Sequence, residues 1–100
     1  MAKRILVYDE KGKVSVADIE GEDELSRLQS IVGGYIQGVS LTSRIMLICN
    51  EDGKATKDPN PKGLGWIPYD CIFGPFVITR YDSEGNTVDL KDSDIAKYSR

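Results

Sequence analysis

Residues 44–50 read Arg-Ile-Met-Leu-Ile-Cys-Asn, and this stretch decides the fold class. Its apolar run from Ile45 to Cys49 is unbroken, which is typical of a strand covered on both faces. The preceding segment, Tyr35 to Leu41, alternates large and small residues, and Thr42-Ser43 separates the two segments. We therefore predict a hairpin whose second strand lies in the middle of a sheet.

The N-terminal part of the chain predicts another hairpin. Arg4 to Tyr8 and Val14 to Ile19 are short apolar runs that read as strands. The segment between them contains Gly12, which can adopt the positive φ that a tight turn requires.

The clearest helix of the sequence lies between these two hairpins. Apolar residues recur there at helical spacing, at Leu25, Leu28 and Val32. Asp23 is placed to cap the first free N–H groups, and Gly33-Gly34 is placed to end the helix. The acidic run Glu22-Asp23-Glu24 is interpreted as helix-start chemistry, with an acidic recognition patch as the alternative.

The segment that follows the central strand, Glu51 to Gly65, is rich in glycine, proline and lysine and contains no aromatic residue. It predicts a long loop, and loops of this length in small domains are often functional. Trp66 to Tyr69 then returns to the fold. Cys71 to Arg80 predicts a long strand interrupted by Gly74-Pro75, at a bulge or an edge position.

The C-terminal part predicts a turn, a strand and a helix. Asp82 to Asn86 forms the turn, Thr87 to Leu90 the strand, and Asp92 or Ser93 caps a helix with Ile95 and Tyr98 on one side. We thus expect a single α+β domain over residues 1–100. Its fold is a small antiparallel or mixed sheet of about six strands with two helices, in the order ββα-ββ-loop-ββα.

Composition restricts the chemistry that this domain can perform. The 100 residues include 16 acidic and 13 basic ones, a formal net charge of −3, so a broad surface for polymeric nucleic acid or an anionic membrane is not expected. Histidine is absent, which removes the commonest general base and metal ligand. We predict neither catalytic residues nor a cofactor.

Two cysteines and one acidic turn are candidates for a disulfide and a metal site. Cys49 and Cys71 lie in apolar runs and are interpreted as small buried hydrophobes, with a disulfide between them as the alternative. Asp82, Glu84 and Asn86 alternate as in the start of a calcium loop, but the glycine and glutamate that should follow are missing, so a tight turn is preferred and no metal is predicted.

Ligand binding is better supported by the sequence than catalysis. The predicted loop offers Lys54, Lys57 and Lys62 for anionic groups and Asn60 for hydrogen bonds, and it ends at Trp66 and Tyr69, which can stack on a planar group. In the alternative interpretation, these two aromatic residues only plug the end of the sheet. The predicted ligand-binding residues are Lys54, Asn60 and Trp66, followed by Tyr35, Asn50 and Arg80.

No segment approaches the about 18 apolar residues that a membrane-spanning helix needs. Residues 5–8 read as a strand and not as the apolar part of a signal peptide. We therefore expect a cytoplasmic protein without a membrane partner. The exposed strand edges of so small a sheet predict a homo-oligomer.

Several segments together resemble a family of small domains of unknown function found in phages, plasmids and their bacterial hosts. They are LQSIVGGYI at 28–36, CNEDGK at 49–54, Pro59-Asn60, IFGPFVI at 72–78 and the closing helix at 94–98. The resemblance implies a phage-type protein acting inside a bacterial cell, without an assigned enzyme activity. By size and class, it is similar to sponges that sequester nucleotide-derived immune signals.

Three functions follow as hypotheses. The first is a non-enzymatic sponge that binds a nucleotide-derived small molecule in a pocket, completed across a subunit boundary. The second is a module that occludes a host protein through a sheet edge or the loop. The third is an enzyme, a phosphodiesterase that uses carboxylates and a metal ion.

Overall fold

A computed structural model describes residues 3–64 and 71–99 of the chain. Within them lie eight strands and three helices, in the order β1 (Lys3–Tyr8), β2 (Val14–Ile19), α1 (Glu24–Val32), β3 (Ile36–Ser40), β4 (Ile45–Asn50), α2 (Gly53–Thr56), β5 (Pro59–Leu64), β6 (Cys71–Phe73), β7 (Phe76–Tyr81), β8 (Thr87–Val88) and α3 (Asp92–Tyr98). A 3-10 turn, Gly21–Asp23, precedes α1. The protein has the predicted α+β class.

Six strands form the main sheet, and all of its pairings are antiparallel. The strand order is β2-β1-β7-β4-β3, with β8 pairing with β7. The hairpins β1–β2 and β3–β4 confirm the two predicted hairpins. β4 lies between β7 and β3 and is buried over most of its length, as its apolar run indicates.

The two faces of the sheet carry separate apolar cores. One face packs against α1 and contains Ile5, Ile19, Leu28, Ile48 and Val77. The other face contains the larger core, with Leu6, Tyr8, Ile45, Leu47, Cys49, Ile72, Phe76, Ile78, Leu90 and Tyr98. The rings of Tyr8 and Phe76 stack at 4.5 Å in the middle of this second core. The main sheet is therefore covered on both sides.

Helix α1 begins and ends close to the predicted positions. Gly33 ends it in the left-handed conformation, with φ of 80°, which a residue with a side chain adopts only at a cost. Asp23 stands at the predicted N-cap position, but its side chain makes no capping hydrogen bond. The predicted cap is therefore wrong at this end, because the preceding 3-10 turn already leads the backbone into the helix.

The predicted loop at Glu51 to Gly65 is wrong, because most of it is regular structure. Residues 53–56 form α2, and residues 59–64 form β5. β5 pairs with β6 in a second, two-stranded sheet, where Pro59 lies opposite Phe73. Prolines are tolerated in such a strand because it has a free edge that needs no backbone donor. The predicted ligand-binding residue Trp66, and Tyr69 with it, lie outside the described residues.

The predicted long strand at Cys71 to Arg80 is two strands in two different sheets. β6 belongs to the small sheet and β7 to the main one. Gly74, with φ of 78°, turns the chain between them, so Gly74-Pro75 is a sheet junction and not a bulge.

The C-terminal helix is capped by Asp94 and not by Asp92 or Ser93. Lys91 occupies the N-cap position, and its backbone N–H donates to Asp94 Oδ2 at 2.8 Å. At the other end of the helix, the Tyr8 hydroxyl donates to the carbonyl of Tyr98, both in the larger core. The Tyr8 hydrogen bond thereby attaches the C-terminal end of α3 to strand β1 of the main sheet.

The turn before β8 is closed by one carboxylate. Asp82 Oδ1 accepts hydrogen bonds from the N–H groups of Glu84 and Asn86, each at 2.9 Å, and these bonds lower the pKa of Asp82. This is the predicted tight turn. Among the described residues, no helix is long and apolar enough to cross a membrane.

Candidate functional site

One cleft collects chemically useful side chains from four elements of the fold. It has a free volume of about 130 Å³ and lies where β3 and β4 meet α2 and β6. Its walls are formed by Gln37, Cys49, Asn50, Glu51, Gly53, Lys54, Cys71, Ile72 and Phe73. The cleft is smaller than the roughly 300 to 1,000 Å³ of typical ligand pockets, so it can enclose only part of a nucleotide-sized ligand.

The position of the cleft follows from strand pairing. Gln37 and Cys49 lie opposite each other in the β3–β4 register, so both side chains point to the face of the larger core. The cleft lies at the end of β4, where the chain turns into α2. Gly53 begins this short helix so close to β6 that a Cβ atom there would lie 2.9 Å from the carbonyl oxygen of Phe73. The site therefore depends on a backbone contact that requires glycine.

Asn50 lines the cleft and links the elements around it. Its amide group donates to the carbonyl of Val32, the last residue of α1, at 3.1 Å, and its Oδ1 accepts from the N–H of Asp52 at 2.7 Å. Asn50 is 8% exposed. It lines the cleft, but its amide is used in joining the end of α1 to the start of α2.

Lys54 carries the positive charge of the cleft. It lies in α2, is exposed, and forms no hydrogen bond or ion pair within residues 3–64 and 71–99. Glu51, an exposed acidic residue, also lines the cleft. An ammonium group without a partner among those residues is available to an anionic ligand.

Two thiols line the cleft. Both are free cysteines, Cys49 buried and Cys71 half-buried, so the disulfide alternative does not hold in this structure. Burial raises the pKa of the Cys49 thiol, which disfavours the nucleophilic thiolate. The Cys71 Sγ lies 3.5 Å from the carbonyl oxygen of Ile72.

Of the predicted ligand-binding residues, the structure brings Lys54 and Asn50 together in the cleft. Tyr35 directly precedes strand β3, whose residue Gln37 lines the cleft. The Tyr35 side chain is exposed, with a relative accessibility of 71% for the residue. Its carbonyl accepts a hydrogen bond from the N–H of Glu51 at 2.8 Å. These three residues, all chosen from the sequence, are thus grouped at one end of the β3–β4 hairpin.

Asn60 and Arg80 lie elsewhere, and both are engaged within the protein. The amide nitrogen of Asn60 donates to the carbonyls of Asp9 at 2.8 Å and Gly74 at 2.9 Å, and Asn60 is 1% exposed. The guanidinium of Arg80 donates to both carboxylate oxygens of Asp94, at 2.7 and 2.9 Å. These hydrogen bonds indicate a structural role for both residues.

Seven of the nine cleft residues are not among the predicted ligand-binding residues, namely Gln37, Cys49, Glu51, Gly53, Cys71, Ile72 and Phe73. From the sequence, Glu51 lies in the predicted long loop, and Cys71 and Phe73 lie in one predicted long strand. Only the pairing register shows that Gln37 faces Cys49, and no local signal in the sequence gives that register. In the described part of the chain, no three cysteine or acidic side chains are grouped to hold a metal ion.

Comparison with known proteins places the chain in a family. The family model of a domain of unknown function, DUF3846, matches residues 2–100. The chain belongs to the DUF3846 family. Neither the curated proteins nor the solved structures gave a significant match. The family match agrees with the resemblance to small domains of unknown function and covers the hairpins, the cleft and all three helices.

Proposed function

We propose that this protein binds a small phosphate-bearing molecule in the cleft at the end of β4 and holds it without chemical change. One observation carries the proposal: the ammonium group of Lys54, which has no partner among the described residues, lies at a cleft with an apolar wall formed by Ile72 and Phe73. A planar ring against the apolar wall and a phosphate beside the ammonium would use both features together. A nucleotide-derived ligand has both groups.

The chemistry of the cleft favours retention over turnover. The buried thiol of Cys49 is kept protonated by its raised pKa, and the chain contains no histidine to act as a general base. Asp94, a buried carboxylate, is already paired with Arg80 and does not line the cleft. We therefore favour a binding protein over the phosphodiesterase alternative.

In the cell, this protein would act as a sponge, that is, as a protein that sequesters a small molecule without converting it. In a phage-infected bacterial cell, a protein of this kind would lower the concentration of a nucleotide-derived immune signal in the cytoplasm by binding it. The resemblance to domains from phages and plasmids motivates this role, and the small size of the cleft agrees with a ligand that is only partly enclosed by one copy of the chain.

A thermal-shift panel tests the binding proposal. The probes are cyclic dinucleotides, cyclic trinucleotides and ADP-ribose isomers, each added over a wide concentration range. A ligand at a hundred times its dissociation constant stabilises the folded state by about 2.7 kcal/mol, which gives a measurable rise in melting temperature. We expect one class of probe to produce this rise, and no shift with any probe would contradict the proposal.

A second function is favoured by a different observation. Strand β3 is an edge of the main sheet, and Tyr35 beside it is highly exposed. An edge of this kind can accept a strand of another protein, so occlusion of a host protein is the alternative. Recovery of one stoichiometric host protein on the purified chain, without any small-molecule ligand, would favour it.

A further inference from the structure

The two edges of the main sheet differ in charge. β2, at one edge, carries Asp18 and is followed by Glu20. β3, at the other edge, carries no charged residue and lies within an uncharged run from Leu28 to Ser43. Charged residues are a common device that keeps an exposed strand from pairing with another chain. The β2 edge has this protection, and the β3 edge lacks it.

The hydrogen bonds of β3 show which backbone groups face outward. At the two ends of the strand, the N–H of Leu41 donates to the carbonyl of Ile45, and the N–H of Glu51 donates to the carbonyl of Tyr35, each at 2.8 Å. Bonded positions alternate along an antiparallel pair, so the odd-numbered residues of β3 pair with β4. The N–H and C=O groups of Ile36, Gly38 and Ser40 therefore point away from the sheet.

We propose that two copies of this chain form a dimer by antiparallel pairing of their β3 strands, with Gly38 on the two-fold axis. In this register, Ile36 of each copy pairs with Ser40 of the other, so every outward-facing residue of β3 is used. A second copy suits this edge because its own β3 is equally free of charge, and the pairing therefore brings no like charges together. The two sheets become one continuous sheet across the axis.

The same register places the two clefts beside the dimer axis. Gln37 lines the cleft and is adjacent to Gly38 in the chain. Directly opposite residues of an antiparallel pair point to the same face, so Val39 of the second copy lies beside Gln37 and extends the cleft wall. A role of the second copy's Val39 in ligand binding rests on the proposed function, whereas the dimer does not depend on that function.

Sedimentation of the ligand-free chain tests the dimer with two matched variants. Val39→Lys puts a charge on β3, and Val16→Lys puts the same charge on β2, where Val16 is 50% exposed. We expect wild type and Val16→Lys to sediment as dimers at micromolar concentration, and Val39→Lys to be a folded monomer by circular dichroism. Monomeric wild type, or a dimer broken by Val16→Lys and kept by Val39→Lys, would overturn the proposal.

Amide hydrogen exchange on the wild type decides the question even if Val39→Lys fails to fold. The N–H groups of Ile36, Gly38 and Ser40 should exchange slowly at concentrations where the dimer forms and faster on dilution. Exchange of these three amides at the rate of an unpaired strand edge, at every concentration, would overturn the proposal. A stable dimer that binds no nucleotide would refute only the proposed function, and a monomer that binds one would refute only the dimer.

Discussion

Arg80 and Asp94 form a partly buried ion pair that fixes helix α3 to the main sheet. The guanidinium Nε lies 2.7 Å from one carboxylate oxygen of Asp94, and one terminal nitrogen lies 2.9 Å from the other. The side chains are only 18% and 8% exposed. Asp94 also accepts the N-cap hydrogen bond of α3 from Lys91, so one carboxylate satisfies two elements at once.

Removing the charge of Asp94 should therefore destabilise the protein strongly. Asp94→Asn leaves the half-buried Arg80 without its counter-charge, so it should destabilise the protein more than the loss of an exposed ion pair does. Asp92→Asn is the matched control, because Asp92 pairs with Arg4 at 2.7 Å but its side chain is 93% exposed. Exposed pairs contribute less than about 1 kcal/mol. Urea unfolding measures both variants, and equal losses of stability would contradict this account of Asp94.

The loss of folding stability at acidic pH, the acid limb of the stability profile, should depend on the same carboxylate of Asp94. The hydrogen bond from Arg80 lowers the pKa of Asp94, and that from Arg4 lowers the pKa of Asp89. A carboxyl whose folded pKa is depressed contributes stability above its unfolded pKa of about 4 and loses that contribution as the pH falls through its folded pKa. We expect stability to fall below about pH 4 and to change little between about pH 5 and 8, where histidine would titrate but is absent from this chain.

Urea unfolding across the pH range measures this profile. Asp94→Asn removes one of the depressed carboxyl groups and should make the acid limb less steep than in wild type. A steep loss of stability between pH 7 and 5, or an unchanged acid limb in the variant, would contradict the assignment.

Asn60 should behave as a structural clamp. It joins the β1–β2 turn, through Asp9, to the β6–β7 junction, through Gly74, and its Oδ1 accepts from the N–H of Lys62 at 2.9 Å. Asn60→Ala removes the donor to the buried carbonyl of Gly74 and unties the β1–β2 turn from the β6–β7 junction, which should cost about 1 to 3 kcal/mol. Thermal unfolding reports the loss. A variant as stable as wild type would show that water or another side chain replaces the amide.

The two cleft thiols should react at different rates. Cys71 is half-buried, whereas Cys49 is 6% exposed and has a raised pKa. Iodoacetamide should therefore modify Cys71 first, because the thiolate is the reactive form and access is needed. Peptide mass spectrometry identifies the modified residue. Faster modification of Cys49 would contradict the described geometry, and a bound ligand should slow the reaction of Cys71.

The sequence predicted the elements whose signals are local. The apolar run of β4 and the helical spacing in α1 need no distant partner to be recognised. β5 was missed because Pro59, Pro61 and Gly63 are unfavourable in strands, and only its pairing with β6 at a free edge makes them acceptable. Tertiary pairing overrides local propensity at this position.

The sequence does not show which candidate site residues make distant contacts within the fold. Asn60 and Arg80 were chosen for their hydrogen-bonding chemistry, but Asn60 bonds to Asp9, 51 residues away, and Arg80 to Asp94, 14 residues away. Those partners occupy the amide group of Asn60 and the guanidinium group of Arg80, which would otherwise be available to a ligand. Lys54 has no partner among the described residues and lies exposed in the short helix α2, where the sequence predicts a loop.

The central claim is that the Lys54 cleft holds a phosphate-bearing molecule and returns it intact. Titration calorimetry of the nucleotide found in the thermal-shift panel, with wild type, Lys54→Gln and Lys97→Gln, tests it most directly. Both variants remove one positive charge, but Lys97 lies in α3 and not on the cleft. We predict at least about tenfold weaker binding for Lys54→Gln only, or about 1.4 kcal/mol, with unchanged ligand recovered from wild type. Equal affinity in all three proteins, or recovery of a cleaved ligand, would contradict the claim.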